Sequence, residues 1–291
     1  MIEQISLFKT TEGEIKNIAA YEAALAHWPV PYAELDLPTR FGATHLIVSG
    51  PVGARPIILL HGQNSCAISW IDNIVELSRD FRAYAVDTIG DMGKSKLIHL
   101  PSSREDYAQW LLEVLDHLKV EKADLIGISY GGFLAINFAL ASPERVNRIV
   151  LLAPGIPNFG SPTLQWANYG MPMLLMPSRF TVSRFINGVS MKGYSAEDPV
   201  HEQMIIGMMN MRKVSFMRPV FTNQELKQTR VPTLLLIGDH EKMYEPRKAL
   251  DCAIGLIPNL KTELIPNASH ILNRDQPEQI NARILNFLNP I

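Results

Sequence analysis

Gly127-Ile128-Ser129-Tyr130-Gly131-Gly132 stands where an apolar run over residues 124–128 gives way to a helical stretch over 131–141. A serine at the tip of such a strand-to-helix turn is forced into an unusual backbone conformation. Glycines two residues to either side remove the Cβ atoms that would clash there. The turn leaves the Ser129 hydroxyl above the strand ends. The first amides of the following helix point at the same place, where developing negative charge is favoured. The chemistry on offer is nucleophilic attack by an activated serine. Gly-x-Ser-x-Gly alone is a modest signal, because small residues cluster in many loops, and its position between strand and helix is what gives it weight.

A serine hydroxyl is a poor nucleophile without a base. One known chain order for such a triad is serine, then acid, then histidine. Of eight histidines only His240 and His270 follow both Ser129 and the irregular stretch 155–230. His270 alone, in Asn267-Ala268-Ser269-His270, sits between a last strand (261–265) and a last helix (276–288). The acid is expected after the strand 233–237, which runs into Gly238-Asp239-His240-Glu241. Glu241, three residues past the glycine, has room to be turned toward the His270 loop. Asp239, one residue past it, is the competing acid and is placed to hold the turn by backbone hydrogen bonds. The other possible acid position follows the strand 146–153 and reads Pro154-Gly155-Ile156-Pro157-Asn158-Phe159, with no carboxylate. An oxyanion needs fixed donors. The amide after the nucleophile, that of Tyr130, is one. The loop after the strand 56–60 reads His61-Gly62-Gln63-Asn64, and Gly62 lets the chain turn the Gln63 amide inward as the second.

The elements around these residues form a rhythm. A helix is expected over 12–28, stopped by Pro29 and Pro31. Short β-branched or apolar runs over 44–49, 56–60, 82–87, 124–128, 146–153, 233–237 and 261–265 read as strands. Residues 104–118 put Tyr107, Trp110, Leu111, Val114, Leu115 and Leu118 on one helical face. Further helices follow over 131–141, 246–257 and 276–288. Strands alternating with helices imply a mostly parallel sheet covered on both faces. Residues 155–230 break the rhythm, and we read them as a helical insertion between a core of 1–154 and 231–291. The insertion holds Trp166, Tyr169, Phe180, Phe185, Phe216 and Phe221 and nine of the twelve methionines. Those methionines serve adaptable core packing or a deformable apolar wall over a pocket, and one helix can do both on opposite faces. With eight bases against four acids the insertion is +4 while the rest of the chain is −6. The bases read as a solvated face, and a lesser reading lets one or two favour an acidic substrate group.

The chain as a whole has 291 residues, 27 basic and 29 acidic, for a charge of 27 − 29 = −2. At 47% hydrophobic and 19% charged it can bury a sizeable core. Near-neutral charge argues against a nucleic-acid partner. Two cysteines, Cys66 and Cys252, are too few for a disulfide framework. No leader and no long apolar span is visible, so the expectation is a soluble cytoplasmic protein with no membrane partner. Gly93-Lys94-Ser95 imitates a P-loop, but the position five before Gly93 is Thr88 rather than glycine. No metal-ligand spacing and no Gly-x-Gly-x-x-Gly opening a helix occurs, so neither a metal nor another cofactor is expected. His27, His45, His99, His117 and His201 read as surface or packing residues.

Together, His61-Gly62, Gly127–Gly131, Gly238–Glu241 and His270, in this order and spacing, resemble the serine α/β-hydrolase superfamily with a helical cap, over about residues 40–289. The resemblance implies an α/β-hydrolase fold, with the cap at 155–230 inserted before the last two strands. Trp28-Pro29-Val30-Pro31-Tyr32 and Pro38-Thr39-Arg40-Phe41-Gly42 look like the leading segment of bacterial carboxylesterases that cleave aryl esters, and Glu241 in place of the commoner aspartate is consistent with that subgroup. The implied function is hydrolysis of small apolar or aryl carboxylic esters through an acyl-enzyme. Ser129 is then the nucleophile, His270 the base and Glu241 the orienting acid. Thioesterases, lactonases, perhydrolases and C–C bond hydrolases share such a triad. A non-catalytic ligand receptor on the same scaffold is the alternative from another class. One departure stands out. The superfamily's Asp-x-x-Gly-x-Gly-x-Ser becomes Asp87-Thr88-Ile89-Gly90-Asp91-Met92-Gly93-Lys94-Ser95, one residue longer, which puts the shape of that side of the pocket in question.

Overall fold

A computed structural model of the chain describes residues 4–193, 195, 197–212 and 220–289. Phe216, counted above among the aromatics of the insertion, lies outside the described residues. Among the described residues nine strands form one sheet: β1 (Tyr32–Thr39), β2 (Gly42–Ser49), β3 (Arg55–Leu60), β4 (Phe81–Val86), the short β5 (Lys96–Leu97), β6 (Ala123–Ile128), β7 (Val146–Leu152), β8 (Thr233–Gly238) and β9 (Leu260–Ile265). Their order is β1-β2-β4-β3-β6-β7-β8-β9, with β5 beside β2. β1 and β2 are antiparallel to their neighbours, and every pair from β4 to β9 is parallel. β6 and β8 are buried at every residue, which is why they read as unbroken apolar runs rather than alternating ones.

Helices cover both faces. α3 (Arg104–His117), α4 (Tyr130–Ala141) and α9 (Pro246–Leu256) bury Trp110, Phe138 and Ala253 on one side. On the other, α1 (Thr11–Leu25), α2 (Ile74–Asp80) and α11 (Pro277–Leu288) bury Tyr21, Leu77 and Ile284. α3 starts where a Ser103–Asp106 capping box satisfies its first amides, and its buried residues are the apolar stripe seen in the sequence. Short α10 (Leu272–Asp275) precedes α11.

Between β7 and β8 the described residues form α5 (Leu164–Leu175), α6 (Arg179–Gly188), α7 (Pro199–Asn210) and α8 (Asn223–Leu226). Met173, Val182, Ile186 and Ile205 give these helices a small core of their own. α1 ends three residues earlier than the sequence suggested and bridges this insertion to the turn that follows β4: Asn17 accepts from Gln203 of α7 and donates to the Met92 carbonyl.

The lengthened Asp87–Ser95 turn encloses a buried ionic cluster. Asp87 accepts from the amides of Ala67 and Lys94 and from His45 Nδ1 at 2.9 Å. The His45 Nε2 lies 2.9 Å from Glu34, which also pairs with Lys94. His45 is therefore a buried partner of two carboxylates rather than simple packing. Burial opposes its charge, but the hydrogen bonds and charges of Asp87 and then Glu34 outweigh it, and its pKa lies above the ordinary histidine value. A raised folded pKa contributes stability that is complete below the unfolded value, about 6.5, and fades as pH rises through the folded one. We expect His45→Gln to cost roughly 3 kcal/mol at pH 6 by leaving Asp87 without its partner, and the gap from wild type to narrow at alkaline pH. Urea unfolding at several pH values checks this. A gap that widens with pH would contradict it.

Candidate active site

Ser129 occupies the tight turn between β6 and α4 with φ 51° and ψ −114°, a left-handed conformation that costs a non-glycine residue energy. The flanking glycines are there because of contact. A Cβ on Gly127 would overlap the Gly131 carbonyl, and one on Gly131 would overlap the Leu60 carbonyl at the end of β3. The elbow thus docks directly on the loop that follows β3.

His270 follows β9, and its Nε2 lies 3.0 Å from Ser129 Oγ. Its Nδ1 lies 2.8 Å from Glu241 Oε2. The other Glu241 oxygen accepts from the Met243 amide at 2.8 Å, and the residue is buried. Asp239 is turned elsewhere. Its half-exposed carboxylate reaches the Ala268 amide at 3.4 Å and so braces the turn. The loops after β8 and β9 are locked together. His240 N–H donates to the Ala268 carbonyl, Ser269 Oγ donates to the His240 carbonyl, and a Cβ on Gly238 would overlap the Ala268 carbonyl. This contact brings Glu241 and His270, 29 residues apart, within hydrogen-bond distance.

Gln63 and Tyr130 line one cavity together with Ser129 and His270. His61, whose part the sequence did not reveal, orients the Gln63 peptide. Its Nε2 accepts from the Thr88 amide at 3.0 Å, so the proton sits on Nδ1, which donates to the Gly62 carbonyl at 2.7 Å. Burial pushes the His61 pKa down against the smaller opposing pull of Asp87, which keeps the ring neutral. The Gly62 carbonyl and the Gln63 N–H belong to one trans peptide and point in opposite directions, so the N–H is aimed away from the imidazole. Asp91 braces the next peptide. Its buried carboxyl accepts from the Asn64 amide at 3.0 Å and the Met92 amide at 2.8 Å. Burial raises its pKa to about 8 despite those two bonds. The extra residue of the 87–95 turn therefore lies behind the wall, since no residue of that turn lines either lobe described next.

Two lobes of about 170 Å³ each meet at Gln63, Ser129, Trp166, Met243 and His270. One lies under the inserted helices, walled by Met173, Phe185, Met204 and Met208. The other is walled by Phe133, Ile156, Pro157 and Tyr244. Some methionines of the insertion thus form wall, while Met211 is buried in the main core. Of the insertion's bases, Arg179 pairs with Glu202 and Arg184 lies over the Tyr169 ring, and no described one lines a lobe. Among the described residues no cluster of three or more histidine, cysteine or acidic side chains could hold a metal ion, and no helix is long and apolar enough to cross a membrane. Cys66 and Cys252 are both unbridged.

A strained serine elbow on a mostly parallel sheet, hydrogen-bonded to a histidine that is in turn hydrogen-bonded to a carboxylate, the two coming from the last two strand ends, defines a class of hydrolases. The chain belongs to the alpha/beta hydrolase family, whose pattern it matches over residues 57–283. It is 35% identical over 299 residues to carboxylesterase YbfK of Bacillus subtilis, covering 99% of this chain and 98% of that protein. The crystal structure of that carboxylesterase superposes with a TM-score of 0.87, covering 96% of this chain and 99% of the other. The naproxen esterase of Bacillus subtilis superposes with a TM-score of 0.89 at 35% identity, covering 97% of this chain and 100% of the other. The meta-cleavage product hydrolase CumD shares the fold, with a TM-score of 0.74 at 21% identity over 88% of this chain and 98% of the other.

Proposed function

We propose that the chain is a serine esterase that cleaves small apolar or aryl carboxylic esters. The observation that carries this is the hydrogen-bonded series Ser129, His270, Glu241 opening into apolar lobes. Ser129 Oγ attacks the ester carbonyl carbon while its proton passes to His270 Nε2. Glu241 holds the Nδ1 proton and stabilises the imidazolium. The amides of Gln63 and Tyr130 receive the oxyanion. His270 then gives its proton to the departing alkoxide, leaving an acyl-Ser129. A water molecule, deprotonated by His270, attacks the acyl carbon and releases the acid and the free serine.

Similarity along the whole chain to Bacillus carboxylesterases supports the ester. A C–C bond hydrolase is the competing reading, since a 2-hydroxy-6-oxononadienedioate hydrolase of Cupriavidus pinatubonensis is 26% identical over 257 residues, 81% of this chain and 87% of that protein. Such a substrate carries two carboxylates. Among the described residues lining the two lobes, Arg274 is the only lysine or arginine, and it is paired with Asp72 and Asp198. That favours a neutral ester. The test is a panel of p-nitrophenyl esters of increasing acyl length, beside an aryl thioester and a ring-cleavage dienone, with fluorophosphonate labelling of Ser129. Ester turnover above the other two, with Ser129 labelled, is the expected result. Faster dienone cleavage would overturn it, and a folded protein that takes up no label would point to a receptor.

A further inference from the structure

Both chain neighbours of His270 are tied to one short segment of the inserted region. On one side, the Ile271 amide donates to the Val189 carbonyl at 3.4 Å. On the other, the Ser269 amide donates to Asp275 Oδ2 at 2.8 Å. The second oxygen of that carboxylate faces the insertion. It accepts from the Ser190 hydroxyl at 2.7 Å, the Met191 amide at 2.9 Å and the Lys192 amide at 3.4 Å. Asp275 is fully buried. Next to it, Arg274 spans from Asp72, just before α2, to Asp198, the N-cap of α7.

From this we infer that Asp275 is a positioning residue, mounting the His270 loop on residues 189–192 of the insertion so that the insertion sets the base's alignment as well as walling the pocket. The inference rests on the esterase reading above. A carboxylate suits the task because it only accepts, and here it takes four donors with two oxygens. Asparagine has one accepting oxygen, and its amino group would face a donor on whichever side it was turned. A shift of about 1 Å in a catalytic group can cost on the order of 100-fold in rate.

The test uses p-nitrophenyl acetate, whose acyl group is too small to depend on the lobe walls, and the rate of inactivation by a fluorophosphonate. Folding of each variant is checked by its melting curve. Asp275→Asn is expected to lower kcat roughly 10- to 100-fold with KM within about twofold of wild type, and to slow inactivation by the same factor. Ser190→Ala, which removes one donor from the insertion side alone, is expected to lower kcat roughly three- to tenfold, and it keeps the inference testable if Asp275→Asn does not fold. A merely structural role would leave kcat per folded enzyme unchanged, or raise KM for bulky esters only. Either result in either folded variant overturns the inference. A wild-type protein that neither hydrolyses the ester nor takes up the probe would overturn the esterase reading itself, and this inference with it.

Discussion

Ser129→Ala is expected to lose on the order of 10⁴-fold or more in kcat while melting close to wild type. The loss is large because, in the mechanism proposed above, the oxygen removed is the atom that forms the acyl bond, and among the described residues it is the Ser129 hydroxyl that lies 3.0 Å from His270 Nε2. The fold survives because alanine, like serine, already carries a Cβ in the φ 51° turn, so no new strain is added. Initial rates on a p-nitrophenyl ester, normalised to folded protein, measure it. Turnover within tenfold of wild type would mean that another group attacks.

The second large effect separates two carboxylates. Glu241→Gln is expected to cost roughly 10²–10⁴-fold in kcat. The glutamate accepts on both oxygens, from Met243 N–H and from His270 Nδ1, each at 2.8 Å. If glutamine keeps the first bond, it turns an N–H toward Nδ1 and favours the tautomer whose Nε2 already holds a proton. That ring cannot take the proton of Ser129. Asp239→Asn is expected to stay within about threefold, since its carboxylate is partly exposed and only braces a backbone amide. The reverse ranking would make Asp239 the acid.

The parts of the site that were legible in the sequence are those fixed by local constraint. The serine elbow declares itself because Gly127 and Gly131 are demanded by overlaps within the turn and with β3. Glu241 and His270 could be singled out as candidates because each follows a strand, the fully buried apolar β8 and the shorter, mixed β9. The bracing residues were silent. His61, Asp91 and Asp275 accept from amides that only the folded chain brings near, so the sequence did not show what they hold, even where His61-Gly62 stood out as a motif. His45 looked like packing because its carboxylate partner Asp87 is 42 residues away. β1 was missed for a different reason. Its first five residues, Tyr-Ala-Glu-Leu-Asp, are all exposed on an edge strand, so burial imposes no pattern on them. α2 was missed because only seven residues carry it, too few for a period to emerge.

The division of the cavity has an evolutionary corollary. The two chambers share Gln63, Ser129, Trp166, Met243 and His270, and beyond those their walls come from different stretches of chain. Changes at well-separated, non-touching positions tend to add independently. For an ester lying across Ser129, selection on Met204 or Phe185 and selection on Ile156 or Pro157 would therefore retune the two halves of the molecule separately. Trp166 and Met243, touching both, are where a single replacement alters tolerance for both at once.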